Sequence, residues 1–396
     1  MGRYLGEGFR AAMLDRFALR LSLLYGAFFV YLGLSMPFVP AWLAAKGLDA
    51  REIGIVLAAP MVVRVVVVPL ATRLADRFGM LQRALIVAAV ASVVGFALVG
   101  AVSGFAAILA TYALATAVLA PVLPFADALA LRGLKGRGAS YGSVRLWGSV
   151  TFIVANMGGG VLLAWLGAGD VIWAVVAALA LTAAAALAID PLAPEAGEST
   201  EERRSGKSLW RTPGFLAVVL GASLIQASHA VMYGFATLQW SARGISGTAI
   251  GVLWAIGVIA EVALFALSPR VVGWFGAAGL IVLGGIGGAV RWSAMAFDPP
   301  IAALPLLQGL HALSFAATHL GTMHYLAQVA PARRGATAQG DFVAVQGIVF
   351  AGAMTLSGLL VGAYGHLAYA AMAAAAAIGA VAAGLALGLR RQGSIV

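Results

Sequence analysis

Ile53-Gly-Ile-Val-Leu-Ala-Ala-Pro-Met-Val-Val-Arg64-Val-Val-Val-Val-Pro-Leu-Ala-Thr72 is a run of 20 residues that contains one charge. That length and polarity match the roughly 20 residues a helix needs to cross the hydrocarbon core of a bilayer. Arg64 sits near its middle, flanked by Val62, Val63, Val65 and Val66, where a long side chain does not easily snorkel to the surface. A guanidinium at that depth costs about 2.5–3.5 kcal/mol even on the more lenient insertion scale, so something polar has to face it. Arg145 and Arg291 lie equally deep in apolar stretches.

The rest of the chain reads in the same way. Of its 396 residues 62% are hydrophobic and 10% charged, with a mean hydropathy of +0.98; an ordinary soluble domain carries about 25% charged residues. Polar breaks separate twelve segments long enough to span, at about 18–44, 52–72, 82–101, 105–131, 140–166, 170–189, 213–241, 247–268, 277–296, 301–329, 337–363 and 367–389. The predicted fold class is an all-α polytopic membrane protein with twelve transmembrane helices. The first segment is too long for a signal-peptide core and is expected to stay attached as the first helix. With no cysteine, thiol catalysis, thiolate metal sites and disulfides are excluded.

A net charge of +10 invites a nucleic-acid reading, but the placement of the basic residues argues against it. On this segmentation nineteen lie on one side of the membrane, only Lys46, Arg51 and Arg243 on the other, and three are the intramembrane arginines. The positive-inside rule then predicts both termini and the 190–212 loop in the cytoplasm, in an inner (plasma) membrane. The excess charge orients the chain and favours anionic headgroups. The expected partner is the lipid bilayer, not nucleic acid.

The halves repeat. Arg137, Gly138, Ala139 and Ser140 are echoed by Arg334, Gly335, Ala336 and Thr337, and Arg73, Phe78 and Gly79 by Arg270, Phe275 and Gly276, all at an offset of 197 residues. Between the halves lies a polar stretch with Pro191, Pro194, Gly197 and Glu201-Glu202-Arg203-Arg204, the composition of a linker. The predicted organisation is a six-helix bundle over 1–190, a cytoplasmic linker over 191–212 and a second six-helix bundle over 213–396. Transporters built from such parallel repeats bind substrate near the midplane, between the halves.

Several charged residues fall inside the spans. Asp127 lies in the fourth segment and Arg145 in the fifth, within Tyr141-Gly-Ser-Val-Arg-Leu-Trp-Gly-Ser149. The two segments run antiparallel over a short loop, which makes Asp127 the expected neighbour of Arg145. A guanidinium fork grips substrate oxygen atoms bidentately, so the pair points to an anion or polyol site; a structural salt bridge is the plain alternative. In the second half Glu261, Arg291 and His311 lie near mid-membrane, and His319, at i+8, shares roughly a face with His311. Burial penalises a carboxylate's charge and a nearby arginine favours it. Glu261 beside Arg291 is therefore a candidate for taking and releasing a proton, with the imidazoles extending the path; a static Glu261–Arg291 pair is the alternative. No zinc motif, phosphate-binding glycine loop or ATPase signature appears, and His311 and His319 are not spaced as an adjacent metal-binding pair. No metal or cofactor is expected, and energy has to come from an ion gradient or from the solute itself.

The loop Thr72-Arg-Leu-Ala-Asp-Arg-Phe-Gly-Met80 resembles the G-x-x-x-D-R-x-G-R loop of the major facilitator superfamily. Asp76, Arg77 and Gly79 match; Thr72 and Met80 depart, with Arg83 just beyond. The resemblance implies a gating latch whose aspartate faces a helix N-terminus, where an anion is favoured. Tyr141–Ser149, Gln226–Phe235, Gly257–Val262, Val290–Trp292 and His311–Tyr325 are similar to the phenylpropionate-permease branch of that superfamily, related to the lactose permease-type oligosaccharide:proton symporters. In the sugar permease an acidic residue of helix 4 and an arginine of helix 5 bind sugar; Asp127 and Arg145 match them at the same separation, and Phe152 stands where an aromatic ring stacks on the sugar. Glu261, Arg291 and His311 match residues that join binding to proton movement. Ser314 replaces the principal proton-carrying glutamate, and His229 and Tyr233 replace a tyrosine and an aspartate, which implies rerouting through Glu261 and His311 or His319. An arginine at Arg64 looks typical of the phenylpropionate branch, and an extra midplane cation suits a carboxylate better than a neutral sugar.

These readings predict a proton-coupled symporter that imports a small organic anion, an aromatic monocarboxylate, by alternating access, and that works as a monomer on the proton gradient. Expected substrate contacts are Arg64, Asp127, Arg145, Phe152, Tyr233 and Trp254. Expected proton-coupling residues are Glu261, Arg291, His311 and His319, with Asp76, Arg77 and Gly79 in the gating loop. A sugar or nucleoside symporter is the alternative within transport. From another class, the alternatives are a membrane enzyme acting on a lipid intermediate and a non-transporting sensor.

Overall fold

The computed structural model describes residues 15–135, 137, 139–190, 213–329 and 335–391. The expected linker over 191–212 and the loop residues Arg333 and Arg334 lie outside the described residues. Among the described residues there are helices and turns but no strands. The twelve spans are α1 (Arg16–Ala45), α2 (Ala50–Arg77), α3 (Leu81–Ala101), α4 (Phe105–Gly133), α5 (Tyr141–Leu166), α6 (Ala168–Leu187), α7 (Gly214–Ala242), α8 (Gly247–Ala266), α9 (Ser268–Ala296), α10 (Ile301–Val329), α11 (Gly335–Tyr364) and α12 (Ala368–Arg391). This is the twelve-helix arrangement that the apolar segments predict.

Local chemistry explains where the helices start and stop. Asp49 and Glu52 form a reciprocal capping box at the start of α2, and Ser140 with Ser143 does the same for α5, satisfying N–H groups that have no partner within the helix. Ion pairs Arg20–Asp190, Arg132–Asp76 and Arg137–Asp15 tie helix ends at the side of the molecule that carries the basic loops.

One boundary differs from expectation. α9 begins at Ser268 rather than at 277, because its first turns are helical before a break at Gly276, whose φ is 64°. The break carries the mark of duplication. Gly79 and Gly276, and likewise Gly47 and Gly244, all have positive φ and are paired at the same 197-residue offset found in the loops.

Three further helices are internally irregular. α4 is divided at Pro121; α7 is interrupted by a turn at Ser228 and His229; and α10 contains a π-helical turn over Ala312–Ala317. Single π turns inside α-helices frequently mark functional sites, and broken helices recur at transporter binding sites.

The described residues fall into two compact units, the first within Met1–Glu195 plus Thr237–Ala255, the second within Ala196–Ala236 plus Ile256–Val396. In the first, the rings of Phe28, Tyr31, Phe96 and Tyr112 step from α1 across α3 to α4, with neighbouring centroids 5.7–5.8 Å apart. Thr237–Ala255 belongs to this unit because its glycines meet α5 backbone to backbone: a Cβ placed on Gly251 would lie 2.4 Å from the carbonyl oxygen of Asn156. The second unit is built around Phe215, Val218, Val219, Ile225, Ile281 and Phe342, all buried. Without a hydrophobic driving force in lipid, helices associate through close packing and interhelical hydrogen bonds, which small residues permit.

Candidate functional site

Arg145 projects from the first turns of α5. Its guanidinium lies 4.0 Å from the centroid of Phe29 and 5.5 Å from that of Tyr25, both on α1. Gly148 makes room for it, since a Cβ there would crowd both the Phe29 ring and the guanidinium. Asp127 does not pair with Arg145 directly. Its Oδ1 accepts from the Tyr25 hydroxyl at 2.6 Å and from the Tyr141 hydroxyl at 3.1 Å, and Tyr141 in turn reaches Arg145. Two phenols therefore stand where a direct salt bridge was expected, because α1 and the start of α5 bring tyrosines to the carboxylate first. Phe152 joins the same wall, 6.3 Å from Phe29. The result is a partly exposed cation in an aromatic cage, a geometry that favours a planar guanidinium over a compact ammonium.

Arg64 is placed differently. It is exposed on α2 and, among the described residues, has no hydrogen bond, ion pair or ring partner. Trp254 does not line the Arg145 cage; its indole N–H donates to Thr237 Oγ1 at 3.1 Å and its ring packs on Trp240. In the loop after α2, Asp76 accepts from Arg132 at 3.0 Å, Arg77 lies over Phe78, and Gly79 has a φ of 61°.

The second unit holds the other cluster. Arg291, on α9, is fully buried, and each terminal N–H is directed at a neutral acceptor. Nη1 donates to His311 Nδ1 at 3.1 Å and to Ser314 Oγ at 3.2 Å; Nη2 donates to Gln308 Oε1 at 2.8 Å and to Met232 Sδ at 3.1 Å. The guanidinium also lies 4.4 Å from the centroid of Trp292. The expected Glu261–Arg291 pair is not formed. His311 stands between the two, with its Nε2 3.5 Å from Glu261 Oε2, because the π-helical turn begins directly after it and presents His311 and Ser314 together to α9.

His229 sits at the interruption of α7. Its Nδ1 contacts the Gln226 carbonyl oxygen and its Nε2 contacts Ser314 Oγ, each at 3.0 Å. Tyr233 packs on His229 and His311 and stacks on Phe350, so it belongs with this cluster. His311, Phe315 and His319 form a continuous stack along α10, at 5.1 and 6.2 Å.

Sequence reasoning passed over Tyr25, Phe29, Tyr141, Gln308 and Met232 as site residues, and met His229 and Ser314 only as departures from a family pattern. An aromatic residue in an apolar helix carries no signal beyond packing. Gln308 did carry one, as an amide in an otherwise apolar run.

Twelve spans, a duplicated chain and charged clusters held inside apolar helices define a membrane transporter of the major facilitator type. A profile of the MFS_1 like family matches residues 18–374, and the chain belongs to that family. It is 32% identical over 355 residues to a probable 3-phenylpropionic acid transporter of Escherichia coli (strain K12), covering 84% of this chain and 89% of that protein. It is 27% identical over 329 residues to a maltose permease of Geobacillus stearothermophilus, covering 82% of each. Among solved structures, the nucleoside transporter NupG superposes with a TM-score of 0.80 at 16% identity, over 93% of this chain and 98% of that one. A bacterial homologue of the human lysosomal transporter Spinster gives 0.70 at 17% identity, over 94% and 96%. Relatives and structural neighbours are transporters, and the protein is a transporter rather than an enzyme.

Proposed function

We propose that the chain imports a small aromatic monocarboxylate together with protons, across an inner (plasma) membrane and with both termini in the cytoplasm. The observation that carries this reading is the Arg145 cage. The guanidinium is not neutralised by Asp127, whose Oδ1 is engaged by two tyrosines, and it lies against Phe29, with Phe152 on the same wall. A cation beside aromatic faces matches a ligand that has a carboxylate at one end and a ring at the other. Arg64, exposed at mid-span and without a partner among the described residues, supplies a second cation for anions to meet. The similarity to a probable 3-phenylpropionic acid transporter supports the acid. Glu261, His311, His319 and Arg291 are assigned to proton coupling, and the transporter works as a monomer in which the two halves rock about the substrate.

A sugar substrate is the second reading, favoured by the similarity to a maltose permease. Thermal unfolding of the purified protein with 3-phenylpropionate, 3-phenylpropanol, maltose and uridine separates them. A ligand that binds only the folded state at 100 times its Kd stabilises it by about 2.7 kcal/mol. The acid is expected to raise the unfolding temperature and its neutral alcohol is not. Stabilisation by maltose or uridine, with no effect of the acid, contradicts the proposal.

A further inference from the structure

The hydrogen bonds around Arg291 fix the proton positions on two histidines, and we infer from them that Glu261, not His311, carries the proton in this network, with His311 a neutral positioning residue that Arg291 holds in one tautomer. This rests on the proton-coupled reading above and goes beyond it by separating the roles of Glu261 and His311, which the sequence left shared.

A guanidinium has donors and no acceptor. Because Arg291 Nη1 is 3.1 Å from His311 Nδ1, that nitrogen accepts, and the ring's proton is on Nε2. This N–H faces Glu261 Oε2 at 3.5 Å. The second ring is fixed by similar logic. A backbone carbonyl only accepts, so His229 Nδ1 donates to Gln226 and its Nε2 accepts from the Ser314 hydroxyl. Ser314 Oγ thereby uses its one proton on His229 and accepts from Arg291. The donors run outward from Arg291, through Ser314 to His229 on one side and through His311 to the carboxylate on the other, and every link agrees with the next.

To become an imidazolium, His311 would need a proton on Nδ1, which is already occupied by an arginine N–H. Addition there places two donors face to face in a buried site. Glu261 has no such obstacle: its side chain is 21% exposed against 8% for His311. A proton taken from water onto a Glu261 oxygen is returned to water from the same oxygen, and the His311 N–H is retained throughout. The titratable and charged groups facing this network are Glu261 from α8, Arg291 from α9, His229 and Tyr233 from α7, His319 from α10 and Tyr369 from α12. Ser314 and His229 position Arg291, and the π-helical turn places Ser314 where it can do so.

His311→Gln supplies what the network needs, an amide oxygen to accept from Arg291 and an N–H to donate to Glu261, but it cannot carry a proton at any working pH. In proteoliposomes with an imposed pH gradient, His311→Gln is expected to accumulate 3-phenylpropionate within about threefold of wild type and with the same pH profile, while His311→Leu loses at least about tenfold, or 1.4 kcal/mol. Glu261→Gln is expected to lose accumulation and to keep exchange of labelled for unlabelled acid. Loss of accumulation by a folded His311→Gln that still exchanges overturns the inference. Where that variant does not fold, [15N]histidine spectra of the wild-type protein decide. An Nε2–H ring at His311 and an Nδ1–H ring at His229 support the inference, and an imidazolium at His311 overturns it. Failure of wild type to accumulate any carboxylate strikes instead at the proton-coupled reading, and the same spectra still judge the tautomers.

Discussion

Arg145 and Arg291 are guanidiniums inside apolar helices, and the protein accommodates them in opposite ways. Arg291 is fully buried, and its terminal N–H groups donate to neutral acceptors on two helices, α7 and α10, which it thereby locks to its own α9. Arg145 stays partly exposed and rests on aromatic faces. A flat guanidinium over a ring is worth about 0.5–1 kcal/mol when exposed and about 2 kcal/mol when desolvated, so Arg145→Lys is expected to weaken carboxylate binding by roughly 5- to 30-fold, read by calorimetric titration, with little change in unfolding temperature. Asp127→Ala has the reverse signature. It leaves the buried Tyr25 hydroxyl without its acceptor, at a cost of about 1–3 kcal/mol seen in thermal unfolding. At this scale the sequence disclosed the charges but not their partners. An unpaired charge in an apolar run is conspicuous, whereas Tyr25 and Tyr141 look like any other packing residues until the fold brings them to Asp127.

At the scale of the elements, the spans were legible because each is a run of about 20 apolar residues bounded by charges, prolines or glycines. The irregularities inside them were not. Neither the interruption of α7 at His229 nor the π-helical turn after His311 has a signal in hydropathy, since both arise from packing between helices. That packing depends on Gly284, where a Cβ would fall 2.0 Å from Thr318 Oγ1 and 3.0 Å from the Leu313 carbonyl oxygen. Gly284 lets α9 approach α10 just past the π turn, two helical turns before Arg291. Gly284→Val is expected to separate them, costing at least about 1–3 kcal/mol in thermal unfolding and removing pH-driven uptake with it. Unchanged stability and uptake would show that the π turn forms without this contact.

For the molecule as a whole, the repeat was visible in two loops and is extended by the backbone, where glycines with positive φ recur at the same offset. Duplication explains why a chain of this composition has corresponding turns in both halves while the charged clusters differ. Arg145 has its aromatic cage in one unit, and Glu261, His311 and Arg291 lie in contact in the other. Arg64 remains the exposed cation at mid-span on α2, and its removal is expected to reduce anion uptake more than stability. The proposed substrate class was legible only as a charge and a shape, since cations and rings limit what fits without naming it. The central claim is that a carboxylate and a proton move together, and uptake of 3-phenylpropionate into proteoliposomes, measured with and without an imposed pH gradient, tests it most directly. Accumulation above the external concentration when the interior is made alkaline, abolished by a protonophore and by Arg64→Ala, is the predicted result. Uptake indifferent to both the gradient and Arg64→Ala, for this acid and for every other aromatic acid tried, would contradict the account.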